Sequence, residues 1–167
     1  MKRIIVIGSP GSGKSTFSRE LNRITNIPLY YLDMLFWRED KSHVDREELI
    51  KRIKGVFRED SWIIDGNYGA TLRLRLDECD TVFFLDYPLE VCLSGIKERK
   101  GKKREDMPWM EPLEDDNEFI DYVKDFAKNQ VPEIRETLKD YKDKDIIVFT
   151  SREEGDEYLE RLRESYE

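Results

Sequence analysis

The run KRIIVIGSPGSGKST (residues 2–16) constrains the fold of this chain more than any other stretch. Its apolar segment IIVI (4–7) is a continuous run of β-branched residues, as expected for a strand buried on both faces of a parallel sheet. The loop after it holds three glycines, a proline and a lysine, a composition that cannot pack a core. Gly8, Gly13, Lys14 and Ser15 satisfy the spacing G-x-x-x-x-G-K-[ST]. Beyond it, Phe17, Leu21 and Ile24 recur at helical spacing. A strand, a glycine loop and a helix in this order turn successive backbone N–H groups, and the positive end of the helix, toward one point. The loop Gly8, Ser9, Pro10, Gly11, Ser12, Gly13, Lys14, Ser15 and Thr16 is therefore expected to bind a nucleoside triphosphate. Lys14 would reach the terminal phosphates, and the Ser15 hydroxyl would join a Mg²⁺ shell.

The remaining pattern alternates strands with helices. PLYYL (28–32), WII (62–64), TVFFL (81–85) and DIIVF (145–149) read as further strands. Leu49, Ile50, Ile53, Val56 and Phe57 mark a helix over roughly 45–58, and Pro88 suits the start of another at about 88–99. Phe119, Val123 and Phe126 mark a helix that Pro132 must break or restart. Ser151 and Glu154 form a capping-box spacing before a last helix carrying Leu159 and Leu162. This predicts a doubly wound α/β three-layer sandwich around a five-stranded parallel sheet, one domain over 1–167 with a short lid at about 100–116. In such sheets ligands sit at the carboxyl ends of the strands, which selects 8–16, 33–37, 65–75, 86–87 and 150–152.

Charge and cysteines limit the alternatives. With 37 acidic against 29 basic residues, the net charge of −8 argues against direct binding to nucleic acid through a basic face. The opening apolar run is too short for a signal peptide or membrane span, so a cytoplasmic location and no membrane partner are expected. Cys79 and Cys92 read as small buried hydrophobes, and His43 in its polar turn receives no role.

Phosphoryl transfer relies on a bound metal and on electrostatic clamps. Two strand-end carboxylates are candidates for the metal shell: Asp65 in WIIDGNY and Asp86 in TVFFLD. Asp33, ending YYLD, is placed to orient or deprotonate an acceptor hydroxyl, to bind a base or sugar edge, or to cap the next turn. Phe36 and Trp37 either stack on an acceptor ring or close the core. Asn67 and Tyr68, with Arg73 and Arg75 after the third strand, are candidate acceptor contacts. Arg99, Arg152 and the run Lys100, Lys102, Lys103 and Arg104 are candidate cations toward the nucleotide, with Trp109 in MPWMEP covering a base or packing the lid to the body.

Taken together, GSPGSGKST, YYLDMLFW, WIIDGNY, LRLRLDECDTVFFLDYP and the basic lid resemble the small P-loop kinases, adenylate kinase and its relatives. Within these they resemble the bacterial proteins known as DNA topology modulation proteins, over about 1–150. The resemblance implies ATP and Mg²⁺, a small-molecule acceptor (a nucleoside, a nucleotide or another hydroxyl compound), and a metal role for Asp65 rather than Asp86. Lys14, Asp65, Arg99 and Asp33 are the candidate catalytic residues. A regulatory ATP-binding protein that alters DNA state through a partner is the alternative. The sequence departs from adenylate kinases in two places. The arginine of DGFPR is replaced by Gly69, and of two arginines expected seven and eleven residues after Pro88, Gly95 stands for the first and Arg99 is the second. Arg73 and Arg75 are the candidates to replace the missing acceptor clamp.

Overall fold

The computed structural model describes residues 1–100, 105–109 and 117–167. Five strands form one sheet in the order β2-β3-β1-β4-β5: β1 (Arg3–Gly8), β2 (Leu29–Tyr31), β3 (Trp62–Asp65), β4 (Thr81–Leu85) and β5 (Asp145–Phe149). All four pairings are parallel. The helices are α1 (Lys14–Thr25), α2 (Leu32–Phe36), α3 (Arg46–Phe57), α4 (Leu72–Glu78), α5 (Leu89–Glu98), α6 (Asn117–Asp125), α7 (Val131–Leu138) and α8 (Arg152–Ser165).

Strand parity builds the three layers. Ile5 and Ile7 of β1, Ile64 of β3 and Phe84 of β4 face one core with α3, α4 and α7. Their neighbours Ile4, Val6, Ile63 and Phe83 face the other core with α1, α5 and α8. Ile4, Ile5, Val6 and Ile7 are fully buried, which is why the run carries no alternation of polar residues. The winding reverses at β1, which has β3 on one side and β4 on the other. The carboxyl end of β1 is therefore the crevice in which an open α/β sheet binds ligands.

The second strand differs from its sequence expectation, and two helices show what the pattern left open. Residues 32–36 are a short helix, α2, so the second strand ends at Tyr31 rather than at 32. LRLRLDE forms α4, a helix that the alternating Leu and Arg conceal because their period of two imitates a strand. Pro132 does not break its helix. A π-helical segment, Phe126–Gln130, joins α6 to α7, and the Val131 N–H donates to the Phe126 carbonyl. The wider turn places Pro132 in the first turn of α7, where its missing N–H costs little. The last helix does carry its cap: the Glu154 N–H donates to Ser151 Oγ at 3.3 Å. The Glu154 carboxylate in return accepts from Thr150, at 2.7 Å from its Oγ1, rather than from Ser151.

Candidate active site

The phosphate loop is held from both sides. The Gly8 N–H donates to Asn67 Oδ1 at 3.0 Å, and Asn67 Nδ2 donates back to the Gly8 carbonyl. This pair ties the exit of β1 to the exit of β3, so Asn67 supports the loop as well as lining the cavity beside it. The Ser12 N–H donates to the Ser9 carbonyl at 3.0 Å. Gly11 adopts φ +83°, and a Cβ there would lie 2.1 Å from the Cys92 carbonyl oxygen, so no other residue fits without movement. Ser12 Oγ is buried in this loop and has no hydrogen-bond partner among the described residues. The first turn of α1 carries no acidic residue, leaving its positive end for an external anion.

Two pockets open beside the loop. The first, about 610 Å³, is lined by 11–17 of the loop and α1, by Arg19, Glu105 and Asp106, and by Arg152 and Asp156. The second, about 990 Å³, is lined by Asp33, Phe36, Trp37, Asn67 and Tyr68 on one part of its wall, and by Trp109 and residues of α6 and the π segment on another. Lys14 and Arg99 line both. A group bound in the first pocket with its charge at the loop therefore meets a group bound in the second at these two cations.

Gly95 explains its own departure from the adenylate-kinase pattern. A Cβ at position 95 would stand 2.1 Å from the Gly11 carbonyl oxygen and 3.0 Å from Arg152 Nη2. Helix α5 approaches the phosphate loop too closely for a side chain, and the Arg152 guanidinium, 3.7 Å from Glu98, lies over that position. The cation on this side of the first pocket comes from α8 instead of α5. The sequence offered Arg152 as a candidate cation toward the nucleotide.

The carboxylates separate by environment. Asp65 is buried at the end of β3, in register with Val6 of β1. It acts electrostatically on Arg75 and on Tyr31, whose phenol burial raises above its ordinary range. Asp86 is held at 2.8 Å by both Nε and Nη2 of Arg135, a bidentate pair across 49 residues. A guanidinium fork thus engages both oxygens of Asp86, the carboxylate that the sequence offered as an alternative metal ligand. Asp33, in the first turn of α2, faces the larger cavity. Together with burial and Asp125, it raises the Tyr122 phenol.

The two arginines proposed as replacement clamps do not reach the cavity. Arg75 is fully buried, and its guanidinium donates to the carbonyls of Gly66 at 2.9 Å and Tyr68 at 2.8 Å, and to Thr71 Oγ1 at 3.2 Å. Burial pushes it down to about 10, an effect that Cys79 and Asp65 offset in part. Arg73 points outward to Asp140 at 3.0 Å. The reason is the same for both expectations: α4 turns one arginine inward and the other away from the cavity.

Phe36 and Trp37 line the cavity in contact with each other, their centroids 4.9 Å apart. Tyr68 lies 4.9 Å from Phe36, and Trp109 lies 5.7 Å from Trp37. Behind them is a residue for which the sequence offered no signal. His43 stacks on Phe36 at 4.6 Å and 9°, and its Nδ1 lies 2.8 Å from the Val44 carbonyl oxygen. Trp109 therefore packs against the body, with Lys41 Nζ 5.5 Å over its ring. On the other side of the same segment, Glu105 pairs with Arg19 at 3.6 Å. Lys102, Lys103 and Arg104 lie outside the described residues. Cys79 and Cys92 are buried free thiols. No helix among the described residues is long and apolar enough to cross a membrane.

Comparison with known proteins gives a consistent result. The chain is 33% identical over 145 residues to the shikimate kinase of Clostridium botulinum, covering 78% of this chain and 81% of that one. It is 32% identical over 110 residues to the adenylate kinase of Thermotoga maritima, covering 62% of this chain and 49% of that one. The chain thus spans about half the length of the curated adenylate kinases it matches. The crystal structure of shikimate kinase from Bacteroides thetaiotaomicron superposes with a TM-score of 0.65 over 98% of this chain and 97% of that one at 18% identity, a likeness of fold. No family model matches the chain.

Proposed function

The chain belongs to the P-loop kinases that include shikimate kinase and adenylate kinase, and is a P-loop phosphotransferase; from that premise we propose that it transfers the γ-phosphate of ATP, with Mg²⁺, to the hydroxyl of a small acceptor. The observation that carries this reading is the sharing of Lys14 and Arg99 between the two pockets. ATP would occupy the smaller pocket with its phosphates on the loop N–H groups, and Arg152 beside the base. The acceptor would occupy the larger one.

The donor set fits a hard divalent cation. Mg²⁺ is usually held by one or two protein oxygens with phosphates and water completing its shell. Ser15 at the start of α1 and Asp65 at the end of β3 offer such oxygens. Ser15 and Asp65 would hold the ion, which would supply positive charge against the phosphates. Lys14 and Arg99 hold the transferring group from the protein side. Asp33 accepts the proton of the attacking hydroxyl.

The regulatory alternative needs a triphosphate site and a partner surface, but has no use for a second cavity of about 990 Å³ meeting the first at two cations. The deciding experiment measures ADP release from Mg²⁺-ATP with purified protein against nucleosides, nucleoside monophosphates and small hydroxy acids. Release that rises with one acceptor class supports the kinase. ATP binding with release indifferent to every acceptor refutes it and favours the regulatory role.

A further inference from the structure

Resting on the kinase reading, we infer that the acceptor is a nucleoside: a compound with a planar ring and free hydroxyls, and neither a phosphomonoester nor a small polyhydroxy carboxylate. The first support is the wall of the larger cavity. Phe36, Trp37 and Tyr68 form one aromatic cluster on it, at centroid separations of 4.9 Å, with His43 stacked behind. Phe119, Tyr122 and Phe126 line it from α6 and the π segment, at successive separations of 6.1 and 6.2 Å. Aromatic rings contribute through flat apolar contact and offset stacking, which a planar ring uses fully and a polyol does not. Stacking a nucleobase on such a side chain tightens binding by about tenfold or more.

The second support is where the arginines are. Recognition of a phosphomonoester or a carboxylate favours a guanidinium fork. Arg75 spends its fork on the Gly66 and Tyr68 carbonyls, and Arg73 pairs with Asp140 outside the cavity. Among the described residues Arg99 is the one arginine on the cavity wall, and it is shared with the donor pocket. Lys14, Lys41 and Lys100 are also on the wall, as ammonium groups without a guanidinium's planar fork, and Lys41 sits over the Trp109 ring. The third support is the set of acceptors for hydroxyl protons. Asp33, Glu133 and the Gln130 amide all line the cavity, as hydrogen-bonding to a sugar edge requires.

The step balances without a further reactant. A sugar hydroxyl oxygen forms a bond to the γ-phosphorus, and the bond from that phosphorus to the β,γ-bridging oxygen breaks. Its electron pair leaves with ADP, and the hydroxyl proton passes to the Asp33 carboxylate. The products are ADP and a nucleoside monophosphate.

The test uses the chain's own tryptophans. Of the three, Trp37 and Trp109 line the cavity and Trp62 is buried in the core. With Mg²⁺ and a non-hydrolysable ATP analogue saturating the donor pocket, nucleosides, their 5′-monophosphates and shikimate are titrated while fluorescence is followed. Saturable quenching by a nucleoside, with a Kd at least about tenfold below its monophosphate and shikimate, supports the inference. Trp37→Ala should then weaken nucleoside binding by about tenfold, and Trp37→Phe should restore most of it. A monophosphate or shikimate that binds as tightly as the nucleoside, or no nucleoside binding at all, overturns the inference. ADP release measured in parallel separates the two readings. Release driven by a monophosphate or shikimate leaves a kinase with a different acceptor. Nucleoside quenching with no acceptor-dependent release removes the kinase and keeps the ring site.

Discussion

The two pockets are built by opposite strategies. The donor side is made of backbone: a glycine loop held by Asn67 and closed by α5, with Gly11 and Gly95 carrying the close approach. Its key residues fall within nine consecutive positions and a helix N-terminus. The acceptor side is made of side chains gathered from α2, the turn after β3, the segment 105–109, α6 and the π segment. A backbone site suits a ligand common to many enzymes, because N–H groups and a helix end recognise phosphate whatever is attached to it. A side-chain site can be rebuilt residue by residue, and is where specificity resides. Lys14 and Arg99 belong to both and define where they meet.

That contrast is sharpest at Lys14. Lys14→Ala should lower kcat by about 10³-fold or more while leaving circular dichroism and Tm nearly unchanged, since the change removes a cation that lines both pockets and none of the core. Loss of fold instead would mean that Lys14 supports the loop and not the chemistry. Asp33→Asn keeps the shape of the acceptor wall and removes the base. It should cost about 10²-fold in kcat with little change in KM for ATP, read from steady-state kinetics. An equal loss in KM for ATP would erase the division between the pockets.

Arg152→Ala tests the donor side at the cation that α8 brings to it. It should raise KM for ATP by about tenfold with kcat nearly kept, the pattern of lost uniform binding. Arg75→Met is a control on the other side. It should not alter acceptor affinity, yet should destabilise the fold by about 3 kcal/mol in denaturant titration, because the Gly66 and Tyr68 carbonyls lose a charged donor in a buried place. Changed acceptor affinity in a folded Arg75→Met protein would return that residue to the site.

How much could be read beforehand follows the same division. The buried strands and the phosphate loop were legible because their signals are local: a β-branched run, glycines at fixed offsets, a helical period after them. The five strands, the final helix and its Ser151 cap followed from such signals. The acceptor side was legible only as a list of suspects. Phe36 and Trp37 could stack or close the core, and nothing local says that His43 lies behind Phe36 or that α6 supplies rings to the same cavity. The arginines misled for a physical reason. Sequence distance from a strand end places a residue near the site, but α4 then sets its direction, and Arg75 points inward to carbonyls that its own turn leaves open. Asp86 likewise ends its strand where expected, and its long-range partner Arg135 is invisible in the sequence.

The measurement that bears most directly on this account follows the γ-phosphate itself. Protein incubated with Mg²⁺ and ATP labelled at the γ-phosphorus is offered a mixed pool of nucleosides, and the products are separated. The account predicts label in a nucleoside monophosphate, with transfer lost in Lys14→Ala and strongly reduced in Asp33→Asn. Label appearing only as inorganic phosphate, at a rate that no acceptor changes, would contradict it.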